Sequence, residues 1–297
     1  MLISIGCSRT RIDPDDRIEQ EIYKGTEGLD MEFITNLPPS KVYDTGVIDI
    51  MAELKNKGIA DLSGTNCYAH LSGYDETIIR GMDKEKYCGD NMFGKSRVYV
   101  EGGMDTVEFK TDQLRLPTGV DLLPQKFILT ACYEYETIAS PVVCIDPGLY
   151  KISAIKEACT VRDVTEAGGQ GAPVSVSKVE VDMLGSDMVG FRIQVSNVGG
   201  GTVLRRGIGL SGRGGNSCPY NLEYDDYNVI DYDVTMSGGS LDSCSPDQAR
   251  LVQDKATVFC KFRVRGNNAY TTPLQIRLRY SYMDSISKTV EIINTPE

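Results

Sequence analysis

The segment Tyr220 to Asp233 carries the chain's densest set of groups suited to holding a ligand. Tyr220, Tyr224 and Tyr227 each offer an apolar ring with a polar tip, a combination favoured on recognition surfaces. Between and after them, Asp225, Asp226, Asp231 and Asp233 supply the oxygen donors that Ca²⁺ prefers. No EF-hand or nonapeptide spacing accompanies them, so the other reading is a polar loop leading into an ordinary strand. Asp83, Glu85, Asp90 and Asn91 form a weaker acidic loop with the same two readings.

Catalytic chemistry finds little footing. His70 is the only imidazole and falls in an expected strand, and no serine sits in a nucleophile-elbow pattern. Gly207-Ile208-Gly209-Leu210-Ser211-Gly212 matches the dinucleotide fingerprint in letters alone. That chemistry needs a helix to open at the third glycine and meet the pyrophosphate. Arg213-Gly214-Gly215-Asn216-Ser217-Cys218-Pro219 follows instead, which reads as a loop. A glycosidase pair cannot be picked from 42 acids without arbitrariness. The expectation is a protein that is not an enzyme and has no cofactor, with Ca²⁺ the one candidate ion.

The cysteines say more. There are nine, none in C-x-x-C, and one histidine leaves no Cys/His zinc pattern. Cys67, Cys88, Cys132, Cys144, Cys159, Cys218, Cys244 and Cys260 read as a disulfide framework, which requires an oxidising compartment. Cys144 and Cys159 are close enough in sequence for a local staple, worth about 3 kcal/mol in the chain-entropy model; the alternative is that each pairs elsewhere. Cys218, Cys244 and Cys260 cannot all pair among themselves, so a bridge between domains or a reduced thiol is expected.

The ninth is Cys7. Met1 to Gly6 is far shorter than the ~20 apolar residues of a membrane span. It is similar to the end of an export signal, with Gly6-Cys7 placed as at a lipoprotein cleavage site and Ser4 where such sites carry an aliphatic residue. Cys7 is the expected lipid attachment point; the alternative is a leader-free chain with an exposed thiol. Residues 1–27 then form a signal remnant and stalk, with a short helix near Arg17 to Lys24 capped by Asp16.

Strands joined by turns must position all of this. The chain has 297 residues, 41% of them apolar, with 30 glycines and 12 prolines scattered between short runs. Ile48, Ile50, Ala52 and Leu54 alternate with polar residues, as do Phe127, Leu129, Ala131, Tyr133 and Tyr135. Side chains two apart share a strand face, so each run is a strand with one buried side. Further strands are expected at Cys67 to Leu71, Arg97 to Val100, Thr106 to Lys110, Val189 to Ser196, Val258 to Val264, Leu274 to Tyr282 and Thr289 to Ile293. Ser245-Pro246-Asp247-Gln248 signals a short helix running to about Val252. The glycine-rich stretch 163–172 is the expected linker. The expected fold is all-β: two immunoglobulin-like β-sandwich domains in tandem, 28–162 and 173–297, behind a short N-terminal stalk.

An alternating strand followed by Asn-x-Gly occurs twice, at Val47 to Gly58 and Val189 to Gly201. With the Cys7 context and the segments Cys144 to Pro147 and Gly169 to Pro173, the chain resembles an archaeal cell-surface lipoprotein with CARDB-type, immunoglobulin-like modules. The resemblance implies a fold and an extracellular, membrane-anchored location, and no active site. The functional expectation is a structural or adhesion protein meeting a protein or glycan partner. The alternatives are a ligand- or Ca²⁺-binding accessory module and a self-assembling filament subunit using strand complementation. A net charge of −11 with no basic stripe excludes nucleic acid as a partner.

Overall fold

A computed structural model describes residues 22–63, 65–90, 92–149, 158–166, 169–208 and 218–295. Cys7, Asn91 and the glycine-rich positions 209–212 lie outside the described residues, as does most of the helix expected at 17–24. In chain order the strands are β1 (Leu29–Phe33), β2 (Lys41–Tyr43), β3 (Asp49–Asn56), β4 (Cys67–Ser72), β5 (Ile79–Arg80), β6 (Glu85–Tyr87), β7 (Met104–Lys110), β8 (Gln113–Leu114), β9 (Leu122–Ala139) and β10 (Val142–Ile145). There follow β11 (Val164–Thr165), β12 (Val174–Met183), β13 (Met188–Asn197), β14 (Thr202–Leu204), β15 (Val229–Met236), β16 (Gly239–Ser245), β17 (Ala249–Arg250), β18 (Lys255–Val264) and β19 (Tyr270–Ile293). The expected all-β class is the observed one.

Two long strands organise the molecule. β9 and β19 pair antiparallel from Leu122–Ile293 to Ala139–Ile276, at the centre of a sheet ordered β17-β15-β19-β9-β4-β6. Their apolar side chains alternate, so one face of that sheet is dry. Against it pack two smaller antiparallel sheets, β1-β3-β7 and β11-β12-β13-β18-β16. Ile50, Ala52, Leu54, Val107 and Phe109 come from the first; Val181, Phe191, Ile193, Val258 and Phe262 come from the second; all join one core. Each large apolar side chain so buried contributes about 1.5–3 kcal/mol.

Four tyrosines mark the centre. Tyr133 lies opposite Tyr282, and Tyr135 opposite Tyr280, on either side of the pair Glu134–Ser281. Tyr133 accepts the Leu29 amide at 3.1 Å, and Tyr280 accepts the Val174 amide at 3.2 Å. Tyr135 donates to Asn56 Oδ1 at 3.5 Å, and Tyr282 to Asn197 Oδ1 at 3.1 Å. Each asparagine in turn donates to the carbonyl four residues on, Asn56 to Ala60 and Asn197 to Gly201. The two halves are therefore related by a local twofold through Glu134–Ser281. The run Phe127, Leu129, Ala131, Tyr133, Tyr135 is matched in order by Leu274, Ile276, Leu278, Tyr280, Tyr282.

Segments 28–162 and 173–297 thus contribute one small sheet each but share the central one. In the stretch 163–172, expected as a linker, the described residues 163–166 and 169–172 pack against the body. Val164 and Thr165 pair with β12, Gln170 bonds both polar groups of Val176, and the Gly171 amide donates to Gly25 O at 3.1 Å. Of the expected stalk, Ile22 is buried in the body.

Three local expectations fail. Leu274 to Tyr282 and Thr289 to Ile293 are one strand, β19, because β9 offers an unbroken partner. Arg97 to Val100 is a turn, closed by the Ser96 amide donating to Tyr99 O at 3.0 Å and the Tyr99 amide donating to Ser96 Oγ at 3.1 Å. The helix expected after Ser245 is absent: Ala249–Arg250 pairs with Ile230 and Val229, and Gln248 donates to Asp231 at 2.6 Å. Ladder pairing and a tertiary bond outweigh the cap signal there.

Candidate functional site

The structure disperses the Tyr220–Asp233 set. Glu223 and Asp226 cap the short 3₁₀ turn Tyr224–Asp226 reciprocally. The Asp226 carboxylate is fully buried and meets the Arg205 guanidinium. That cation first, and the Glu223 amide at 2.9 Å second, hold its pKa below the ordinary carboxylate value. Asp225 bonds Arg250 at 3.0 Å, and Arg250 lies over the Tyr224 ring at 5.1 Å. Tyr227 packs on the small apolar cluster of Leu204, Ile208 and Cys218. On β15, Asp231 accepts Gln248 and Asp233 meets Arg279. Each carboxylate has its own partner, and no three acid, His or Cys side chains converge on one point among the described residues. In the acidic loop, Asp83 pairs with Lys86 at 2.7 Å.

All eight candidate cysteines pair. Cys144–Cys159 is the local staple, Cys67–Cys88 ties β4 to the residue after β6, and Cys244–Cys260 crosses β16 and β18. Cys132–Cys218 is the bridge between the halves. It fastens the segment after β14 to the outer face of β9, with Cα atoms 6.1 Å apart. Four intrachain bridges belong to an oxidising environment. Among the described residues, no helix is long and apolar enough to cross a membrane.

The sequence reading missed an exposed apolar feature. Between Met92 and β7 the chain forms a tip bearing Phe93, Val98, Tyr99, Val100 and Met104, with Val98 81% exposed. Phe93 and Tyr99 stack with centroids 4.9 Å apart and planes 17° from parallel. The tip is firmly held. Gly103 donates to Phe93 O at 2.7 Å, Lys95 to Gly58 O at 2.7 Å, and Gly94 to Asp61 Oδ1 at 2.7 Å. Gly102 has φ +77°, and a Cβ there would sit 1.9 Å from Asn56 O, so the turn admits only glycine. The Asn56 side chain donates to Met92 O at 3.0 Å, and its backbone amide donates to Gly103 O at 2.9 Å. The asparagine that clasps Tyr135 therefore also supports the tip.

A pattern of Val-Tyr-Val reads as a strand in one dimension; the signal against it was Gly102-Gly103 close behind Ser96. A larger cleft, about 790 Å³, lies along Tyr232, Leu241, Asp233 and Arg277. Three of its polar groups are engaged: Tyr232 with Pro246 O, Asp233 with Arg279, and Arg277 with Glu136. No protein-family model and no curated protein matches the chain.

Proposed function

We propose that the chain is an extracytoplasmic surface protein without catalytic activity, tethered by a lipid on Cys7, that engages a protein partner through the 93–104 tip. The supporting observation is an apolar surface that is exposed and yet rigid. Large side chains are held out to water by a hydrogen-bonded turn, so little ordering entropy is lost when a partner covers them. Lys95, Arg97 and Glu101 supply a mixed polar rim of the kind seen around protein interfaces. A net charge of −11 disfavours an anionic bilayer as the partner. Four disulfides suit a body exposed outside the cytoplasm.

The test has two arms. Intact mass of native protein from the membrane fraction is expected to show a lipid on Cys7; a free thiol there removes the tether. Cys7→Ser protein is then incubated with cell envelopes and with protein-free vesicles of the extracted lipids. Retention on envelopes is expected to fall at least about tenfold when Val98, Tyr99 and Val100 are changed to Ser. Equal retention of that variant, or equal binding to the vesicles, overturns the reading.

A further inference from the structure

A second surface lies on the outer face of β4. Tyr68, His70 and Ser72 point outward there, alternating with the buried Cys67, Ala69 and Leu71. Glu85 and Tyr87 of β6 stand opposite His70 and Tyr68, and the Tyr68 and Tyr87 rings meet at 4.8 Å. The Cys132–Cys218 bridge brings Tyr220 over this face, edge-on to His70 with centroids 5.0 Å apart. Gly73, at φ +86°, turns the chain after β4 so that Tyr74 closes the other side. The result is a cavity of about 450 Å³ lined by His70, Ser72, Tyr74, Glu76, Lys84 and Tyr220.

Two residues of this lining each carry a buried polar atom with no partner among the described residues: His70 Nδ1 and the Tyr74 hydroxyl. Leaving such groups unpaired costs about 1–3 kcal/mol each. Burial first, and Lys84 second, keep the imidazole of His70 neutral. Burial, with Glu76 and Tyr220 nearby, pushes the Tyr74 phenol up to about 12, so it too is neutral. Among the described residues, the charges in the lining are Lys84 and Glu76, which pair at 2.5 Å and cancel. An anion would meet Glu76, and a cation would meet Lys84. A metal ion finds a single imidazole. What fits is an uncharged ligand with alternating donors and acceptors and an apolar face for a tyrosine ring.

We propose that this cavity binds a neutral sugar residue whose entry uncovers His70 Nδ1 and the Tyr74 hydroxyl, its hydroxyls bonding these atoms and the Lys84–Glu76 pair while a C–H face lies on Tyr220. The site is independent of the tip. Neither its chemistry nor its test involves residues 93–104.

His70 is the only histidine of the chain, so its ring resonances report on the cavity without ambiguity. Methyl glycosides of glucose, galactose, mannose and N-acetylglucosamine are titrated to about 50 mM, the range of a weak single-residue site. Phosphate, acetate and CaCl₂ serve as charged controls. At least one glycoside is expected to shift His70 saturably, and Tyr220→Ala to weaken it at least about tenfold. Tyr74→Phe is the sharper variant. It deletes an unpaired buried hydroxyl, so the free protein is expected to be as stable as the parent or more so, while sugar affinity falls. Absence of any saturable shift, shifts that survive in both variants, or equal shifts from the charged controls would overturn the proposal.

Discussion

The hydroxyl of Tyr282 donates to Asn197 Oδ1 at 3.1 Å and accepts the Gly201 amide at 2.7 Å. Tyr282→Phe keeps the ring and removes both bonds, stranding a part-buried amide and an amide oxygen. Unfolding in denaturant is expected to show a loss of about 1–3 kcal/mol. Tyr135→Phe, whose bonds to Asn56 and Ala60 are longer at 3.5 and 3.3 Å, is expected to cost less. The reverse ranking would mean that the two clasps do not act alike.

Gly58 gives a coupled prediction. A Cβ there would lie 1.8 Å from the Tyr135 hydroxyl oxygen and 2.6 Å from Gly171 O. Gly58→Ala is expected to cost about 1–3 kcal/mol through overpacking. Adding Tyr135→Phe removes the nearer clash but leaves Gly171, so the double variant should recover part of the loss. Strict additivity in the double-mutant cycle would contradict the contact.

The sequence made some of this visible and hid the rest. The alternation from Phe127 to Tyr135 names a strand because a sheet with one dry face imposes a period of two. The doubled Asn-x-Gly was equally plain. Its purpose was not, because Asn56 and Asn197 meet hydroxyls brought in from Tyr135 and Tyr282 across long stretches of chain. The same distance hid the shared sheet: nothing local says that residues 122–139 pair with 276–293. The acidic segment left both a Ca²⁺ site and a polar loop open because its partners, Arg205, Arg250 and Arg279, are scattered outside it.

Cys132→Ser with Cys218→Ser opens a loop with a sequence separation of 86. The chain-entropy model gives a loss of about 4–5 kcal/mol. The pair should also release Tyr220 from His70, letting the imidazole pKa rise towards its ordinary value. An NMR titration of the single histidine checks this; an unchanged titration would show that Tyr220 is held by other contacts.

Stability is expected to depend on pH in two separate windows. His70 has a folded pKa below its ordinary value of about 6.5, through burial and then Lys84. Unfolded chain therefore binds the proton first. Stability is full above about pH 6.5, falls as pH drops through that value, and levels once the folded imidazole is protonated. Glu76, Glu85 and Tyr220 also face this ring. His70→Gln should flatten Tm between about pH 5 and 6.5. Asp226 behaves otherwise: its depressed pKa gives a contribution present above about pH 3.9 and lost only as pH falls further. The His70→Gln variant should keep that acid limb.

Lys57 donates to Gly28 O at 2.8 Å, Gly171 to Gly25 O, and Lys95 to Gly58 O, which puts residues 22–28 and the root of the apolar turn at one end of the β1-β3-β7 sheet. A partner that covers the turn would then lie beside residues 22–28 as well.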